Sequence, residues 1–181
     1  MKRSKIDAID RKILYNLQYD GRMTNVEISQ RVNISAPPCL RRIRALEKNG
    51  FIKGYYADLD GTLLGFGVTV FAHVRLTSHT EADLASFEAA VSAWSEIREC
   101  YMLAGDDDFM LKVVARDWEN YQDFLTHRLV AAPFVAQVRS SLSIRRAKFA
   151  PGIPFNDLEE KQQSTQEKTT QKPLKVSNAG S

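Results

Sequence analysis

The sequence contains few residues of the kinds that bind metals or form disulfides. It has two cysteines and three histidines among 181 residues, and their spacing with acidic residues does not match a metal site. Cys39 and Cys100 fall on faces predicted to be buried, so we interpret both as small apolar side chains. We therefore expect no metal, no disulfide and no cofactor.

A long apolar run is also absent. No stretch approaches the roughly 18 residues that a membrane-spanning helix needs, and the residues after Met1 do not form a signal-peptide pattern. We expect a cytoplasmic protein that does not associate with membranes.

The modest net charge of +3 hides an uneven distribution. Residues 1–53 contain twelve Lys and Arg against five Asp and Glu, a net +7, whereas residues 54–150 contain nine against thirteen, a net −4. A basic N-terminal region of this kind favours contact with a polyanion, because contacts to phosphate supply most of the sequence-independent affinity for DNA.

The strongest functional signal is a basic helix in residues 36–49. Ser35 is a common N-cap residue type, and prolines are well tolerated in the first helical turn that follows it. With about 100° of rotation per residue, the helix has an apolar and a basic stripe on opposite sides. The apolar stripe contains Cys39, Ile43 and Leu46; the basic one contains Arg41, Arg44 and Lys48, with Arg42 at its flank.

Two further helices precede the basic helix. Thr24 and Glu27 have the spacing of a capping box and begin a short helix that ends near Val32. The few residues between it and the basic helix match the turn of a helix-turn-helix. A first helix is predicted from Asp7 to Tyr19, and the β-rich segment 51–57 completes a winged helix-turn-helix.

This arrangement predicts binding to double-stranded DNA. Arginine can pair bidentately with guanine in the major groove, and helix N-termini bind phosphate. We expect Arg41, Arg44 and Lys48 to enter or flank the major groove, and Arg42 and Thr24 to contact phosphate. The candidate DNA-binding residues are Thr24, Ser35, Pro37, Arg41, Arg42, Arg44 and Lys48.

The second half of the chain has the order β-α-β-β-α-β, which a ferredoxin-like sheet with two helices on one face satisfies. The predicted strands are 68–77, 97–104, 109–116 and 135–149, and the helices begin after Thr80 and Asp117. The helix after Asp117 carries the apolar residues Trp118, Tyr121, Leu125 and Leu129. The second sheet face must also be covered, and we assign to it Val70, Ala72, Val74, Met110 and Lys112. Their apolar character predicts dimerisation.

The predicted fold class is therefore α+β, with four segments along the chain. Residues 1–53 form the DNA-binding domain, 54–66 a linker with a short strand, and 67–149 the ferredoxin-like domain. Residues 150–181 lack aromatic and apolar periodicity over most of their length and are predicted to be a disordered tail.

Taken together, several motifs resemble the Lrp/AsnC (leucine-responsive, feast/famine) family of transcriptional regulators over residues 5–149. They are Asp7-Ala-Ile-Asp-Arg-Lys-Ile-Leu14, Asp20-Gly-Arg22, Glu27-Ile-Ser-Gln-Arg-Val32, Ser35-Ala-Pro-Pro-Cys-Leu-Arg-Arg-Ile43, Leu46-Glu-Lys-Asn-Gly-Phe-Ile52 and Gly105-Asp-Asp-Asp108. The resemblance implies a sequence-specific, non-enzymatic regulator with an amino acid as effector, whose dimers commonly assemble into octamers.

The Gly105–Asp108 turn is the candidate effector site. Glycine allows close approach of backbone N–H groups to a carboxylate, and Asp106 or Asp108 could face an ammonium group. By resemblance, the remaining walls come from Tyr101 and Leu103 and from Ser140, Ser141 and Leu142. The family usually has an aromatic residue at position 107, so Asp107 leaves the identity of the effector open. An ordinary acidic hairpin turn is the alternative.

Two other functions remain open at this stage. Haem-biosynthetic decarboxylases share this two-domain architecture and hold a tetrapyrrole with basic and histidine side chains, a role that His73 and His127 could take. The basic stripe argues against that enzyme. An effector-independent protein that packs DNA is the other alternative, and it would show little preference for an operator.

Overall fold

A computed structural model describes residues 6–155, which divide into two compact units. The first unit contains the described residues up to Ala57 together with the segment that begins at Phe149, and the second runs from Asp58 to Lys148. The predicted disordered tail, residues 150–181, lies outside the described residues from position 156 onward, as do residues 1–5. Its first residues, 150–155, are described and contact the first unit, which corrects the prediction for them.

The first unit contains three helices with the boundaries that the capping signals indicate. They are α1 (Ala8–Tyr19), α2 (Asn25–Arg31) and α3 (Ala36–Lys48). Capping boxes begin α1 at Asp7 with Asp10 and α2 at Thr24 with Glu27, which confirms both predicted starts. Apolar stripes from all three helices form one core, whose buried residues include Ile13, Leu17, Ile28, Cys39, Ile43 and Leu46.

The segment after α3 contains no strand, so the predicted β-segment 51–57 is wrong for this chain. The backbone N–H groups of Phe51 and Ile52 both point back to the carbonyl of Leu46, where they close the end of α3. Beyond them the chain has no regular secondary structure up to residue 60, and the Tyr55 hydroxyl donates a hydrogen bond to Glu47 at 3.0 Å. A strand requires a hydrogen-bonded partner strand, and the described part of the chain provides none for this segment.

The second unit is a four-stranded antiparallel sheet with helices. Its elements are β1 (Val68–Leu76), α4 (Glu81–Ala93), β2 (Ile97–Met102), β3 (Phe109–Ala115), α5 (Trp118–Phe124) and β4 (Val135–Leu142). A π-helical turn, Leu125–Leu129, continues α5. The strand order is β2-β3-β1-β4, as the ferredoxin-like prediction requires. No helix in residues 6–155 is long and apolar enough to span a membrane.

The two sheet faces differ from our assignment. Val70, Ala72 and Val74 are fully buried in the core with Phe87, Val91, Tyr121 and Phe124 of the helices. They therefore lie on the helix-covered face, and their assignment to the uncovered face was wrong. Because side chains alternate along a strand, the uncovered face carries the residues between them; we call it the open face. It contains Thr69, Phe71 and His73 of β1 and Met110, Lys112 and Val114 of β3.

Two other details of the second unit correct the prediction. β4 ends at Leu142 rather than 149, because β1 begins at Val68 and offers no partner beyond the bond from Ser143 to Thr69. Cys100 is exposed because β2 is an edge strand, whereas Cys39 is buried as predicted. On α5, Trp118 is exposed, and its ring lies beside that of the buried Tyr121, with centroids 5.3 Å apart.

Candidate DNA-binding and effector sites

The helix α3 presents its basic stripe to solvent. Cys39, Ile43 and Leu46 face the core, and the stripe on the opposite side is exposed. Its members are Arg41, Arg44 and Lys48, and none of them has a hydrogen bond or ion pair with another described residue. Three cations that have no partner in the described part of the chain, all on one helix face, are available to an external anion.

The turn before α3 has features that the sequence did not reveal. Asn33 adopts a left-handed conformation with φ 58°, and its asparagine side chain makes that conformation accessible. Ser35 lies at the N-cap position, but its side chain makes no cap hydrogen bond. Pro37 and Pro38 occupy positions whose backbone N–H groups would normally donate to the cap, and proline has no such group. The exposed Ser35 hydroxyl is consequently available to a ligand.

Arg42 has a different role from the one predicted. Its Nη1 atom lies 2.8 Å from Oδ2 of Asp7 and 2.8 Å from Oδ1 of Asp10. The side chain is half-buried between α3 and the first turn of α1. The Asp10 backbone N–H and the Arg42 guanidinium lower the pKa of Asp7. Arg42 thus joins two helices of the first unit, and we withdraw it as a phosphate contact.

Thr24 is also engaged within the chain. Its backbone N–H donates to Oε2 of Glu27 at 2.7 Å, and its hydroxyl accepts from the Glu27 backbone N–H at 3.3 Å. The backbone and hydroxyl of Thr24 lower the pKa of Glu27, so this carboxylate stays negative. A negative charge here disfavours phosphate, and we withdraw Thr24 as a contact too.

In the second unit, Asp108 is held by groups from β1 and the segment after it. Its Oδ2 accepts from the Leu76 backbone N–H at 2.7 Å, and its Oδ1 lies 2.9 Å from Nε2 of His79. Its own backbone N–H donates to Val74. Both carboxylate oxygens therefore have partners inside the chain, which makes Asp108 the less available of the two residues, Asp106 and Asp108, that we predict could face an ammonium group.

Asp107 is likewise paired internally. Its Oδ2 accepts from Arg139 at 2.7 Å and lies 3.2 Å from Nδ1 of His73, although the latter contact does not have hydrogen-bond geometry. Arg139 is thus a cation within the protein that pairs with one of the three adjacent carboxylates of the turn. These residues lie about 30 positions away along the sequence, so only the strand register could have identified them.

Asp106 is the remaining acidic residue of the turn. Arg75 donates two hydrogen bonds to its backbone carbonyl, at 3.0 and 2.6 Å, and so fixes the turn from outside. The Asp106 carboxylate itself is exposed and makes no hydrogen bond or ion pair with another described residue. Asp106 is therefore the carboxylate that the turn offers to an external ammonium group.

One chain does not bring all the predicted effector residues together. Tyr101 is on β2 and Leu103 follows it, whereas Ser140, Ser141 and Leu142 are on β4, at the opposite edge of the sheet. Two intervening strands separate them by roughly 14 Å, at about 4.8 Å per strand. Ser140 faces the helices, where its hydroxyl hydrogen-bonds to that of buried Tyr121; burial raises the pKa of Tyr121. Ser141 pairs with Phe71 and shares its face.

The open face of the sheet forms the floor of a concave region of about 830 Å³. Thr69, Phe71, Lys112 and Val114 line the floor, and residues 58–62 and 143–146 line the walls. The Lys112 ammonium lies 2.6 Å from Glu99, whose pKa it lowers. The charge at the centre of this face is therefore already neutralised within the chain.

Comparisons with known proteins identify both units. A family model described as winged helix-turn-helix DNA-binding matches residues 6–53, and one described as Lrp/AsnC ligand binding domain matches residues 69–153. The leucine-responsive regulatory protein of Rhizobium meliloti (strain 1021) is 47% identical over 148 residues, which cover 82% of this chain and 95% of that protein. The Bkd operon transcriptional regulator of Pseudomonas aeruginosa is 39% identical, covering 84% and 99%.

Solved structures agree with these matches. A transcriptional regulator of Neisseria meningitidis, determined as a complex with L-Met, superposes with a TM-score of 0.80 at 34% identity and covers 85% of this chain and 99% of its own. An AsnC-family regulator from Agrobacterium tumefaciens has a TM-score of 0.78 at 33% identity, with coverage of 84% and 99%. All four relatives are transcriptional regulators, so the decarboxylase alternative is not supported.

Proposed function

The chain belongs to the Lrp/AsnC family of DNA-binding transcriptional regulators, and we propose that it contacts its operator through the exposed basic stripe of α3. The observation that carries this proposal is the contrast between neighbouring arginines. Arg42 is bound by two carboxylates, whereas Arg41 and Arg44 have no partner among residues 6–155. Lys48 extends the stripe, and the uncapped Ser35 hydroxyl and the adjacent Pro37 at the start of α3 lie where a phosphate would approach. We also propose a cytoplasmic location, since the operators of bacterial regulators such as these relatives lie in the cytoplasm.

A gel-shift titration with an Arg41→Ala, Arg44→Ala double variant tests this assignment. We expect operator binding to be abolished, and each lost phosphate contact to reduce the slope of log affinity against log salt by about 0.9. A Lys12→Ala, Arg98→Ala variant removes the same charge outside α3 and should bind like the parent. Equal losses of operator affinity in both variants would show that the effect depends on the net charge of the protein and not on α3. Parent affinity that is the same for unrelated DNA would favour the DNA-packing alternative.

For the effector we propose an amino acid bound at the Gly105–Asp108 turn. Gly105 leaves the backbone accessible to a carboxylate, and the Asp106 carboxylate, which has no partner among the residues that the structure describes, suits an ammonium group. The L-Met complex of the similar Neisseria regulator supports this class of ligand. Because Tyr101 and Leu103 are far from Ser141 and Leu142 in one chain, a pocket with both walls would need residues from a second copy. Ser140 supports β4 through Tyr121.

A thermal-shift screen of the twenty amino acids tests the effector proposal. A ligand that binds only the folded protein raises its melting temperature in proportion to RT ln(1 + [L]/Kd). The shift should disappear in an Asp106→Asn variant and persist in Asp123→Asn, which removes an exposed charge from α5. A shift that persists in Asp106→Asn would place the pocket elsewhere, and no shift with any amino acid would exclude this class.

We further propose that two copies pair through the open face, and that such dimers assemble into an octamer. Phe71 and Val114 give this face apolar area, and the Lys112–Glu99 pair allows it to be covered without burying an unpaired charge. Leu63, Leu64 and Ile144 are also highly exposed in the same unit. Light scattering should report an octamer or a smaller multiple of the dimer; a monomer at micromolar concentration would contradict the proposal.

A further inference from the structure

The segment that follows the second unit contacts helix α1 through one side chain. The Ile153 backbone N–H donates to Oε1 of Gln18 at 3.1 Å, and Nε2 of Gln18 donates to the Ile153 carbonyl at 3.1 Å. Next to this contact, the Phe155 ring meets the Tyr15 ring edge-on, with centroids 6.3 Å apart. One carboxamide thus satisfies both backbone polar groups of Ile153, as a neighbouring strand would.

The sequence of the segment suits this contact. Pro151 and Pro154 have no backbone N–H, so Ile153 and Gly152 are the only donors between them. Gly152 adopts a left-handed conformation with φ 78°, and a Cβ atom at this position would collide with the Gln18 carboxamide. Gly152 therefore allows both the left-handed backbone of the turn and the close approach of the Gln18 carboxamide.

The chain connects the two units twice, at Ala57–Asp58 and at Lys148–Phe149. Within the second unit, Nη2 of Arg146 lies 3.0 Å from Oδ2 of Asp58. This ion pair joins the outgoing chain to the returning chain close to both connections. The segment that docks on α1 then follows within three residues of Arg146.

We propose that residues 149–155 are a strap that docks on α1 of its own chain and restricts the movement of the DNA-binding unit relative to the second unit. The surface that receives the strap consists of Tyr15 and Gln18, which are three positions apart and so share one side of α1. Its occupant is a proline-bracketed turn with an aromatic residue at its end. Restricting the unit in advance lowers the entropy lost when it binds DNA. The effect on operator affinity described below rests on the proposed function, whereas the hydrogen-exchange measurement does not.

Hydrogen exchange of the full-length protein tests the docking directly. In the parent, the Ile153 amide should exchange at least about tenfold more slowly than in an unstructured peptide. Gln18→Leu removes both hydrogen bonds and Gly152→Ala obstructs the turn, so either change should restore fast exchange. Gln122→Leu, the same change at an exposed position of α5, should leave the protection intact. Fast exchange in the parent would overturn the proposal.

The two variants also test what the docking does. Gln18→Leu and Gly152→Ala each release the same contact, one from α1 and the other from the strap. Gln18→Leu alone and the Gln18→Leu, Gly152→Ala double variant should therefore lower operator affinity equally, by about threefold. Unchanged affinity in released variants would overturn the restraining role. Protection that disappears on dilution to monomer would assign the strap to a neighbouring copy, which also overturns the proposal. The exchange measurement remains valid even if the basic stripe does not bind DNA.

Discussion

Nη1 of Arg42 lies 2.8 Å from Oδ1 of Asp10, so the DNA-facing helix α3 is joined to α1 by an ion pair within the first unit. A second contact from the same guanidinium reaches Asp7, the N-cap residue of α1. The motif that predicted four DNA-binding cations therefore contains one whose partner is the protein itself.

Arg42→Ala should destabilise the first unit by about 1 kcal/mol, since charge-assisted pairs that remain partly exposed contribute in that range. Urea unfolding measures the loss. In a double-mutant cycle with Asp10→Ala, the two losses should not add, because both variants break one contact. Additive losses would show that the pair does not couple the helices. At equal folded concentration, Arg42→Ala should bind operator more tightly than Arg41→Ala.

Removing the hydroxyl at two N-cap positions should have opposite consequences. Thr24→Ala removes a cap that is formed, and it should cost about 1 kcal/mol of unfolding free energy. Ser35→Ala removes a hydroxyl that caps nothing, so stability should be nearly unchanged while operator affinity falls. Denaturant melts and gel shifts on both variants separate the two roles. A loss of stability in Ser35→Ala comparable to that in Thr24→Ala would contradict this distinction.

Acid should destabilise the first unit partly through Glu27. The Thr24 backbone N–H and hydroxyl lower the folded-state pKa of Glu27 from its usual 4.5. A carboxylate with a lowered folded pKa contributes stability above the unfolded pKa and loses that contribution as the pH falls through the folded pKa. Between pH 5 and about pH 3, Glu27→Gln should therefore lose less stability than the parent. Glu119→Gln, a change at an exposed site on α5, should follow the parent curve.

Phe71→Glu should prevent pairing through the open face, because it would place an unpaired charge at the centre of the covered surface. Sedimentation should then show a monomer with an intact far-ultraviolet circular dichroism spectrum. Thr126→Glu adds the same charge to the outside of the π-helical turn and should leave the assembly unchanged. If the Phe71→Glu protein sediments like the parent, another surface holds the copies together.

Local signals in the sequence were sufficient for the helix-turn-helix. Capping boxes at Asp7 and Thr24 and the apolar stripe of α3 act over a few residues, so they appear in the sequence at the correct positions. Ser35 is the exception. Its type predicts a cap, yet the two prolines after it remove the donors that the cap requires.

Relationships between distant strands could not be predicted in the same way. β1 carries apolar residues on both faces, so its pattern does not show which face the helices cover, and we assigned Val70 to the wrong face. The pairing of β1 with β3 and β4 determines which of its residues are buried. The acidic turn shows the same limit. Its sequence suggests three free carboxylates, but Arg139 and His79, which contact two of them, reach it only once the sheet and the turn after β1 have formed.

The contact between Gln18 and Ile153 also sets an order for synthesis. A chain made from its N-terminus completes α1, α2 and α3 about a hundred residues before Ile153 exists, and N-terminal domains fold first as they emerge. The surface of Tyr15 and Gln18 therefore stays uncovered until the whole second unit has been translated. The docked form of the DNA-binding unit can then arise only in chains whose second unit has already been made.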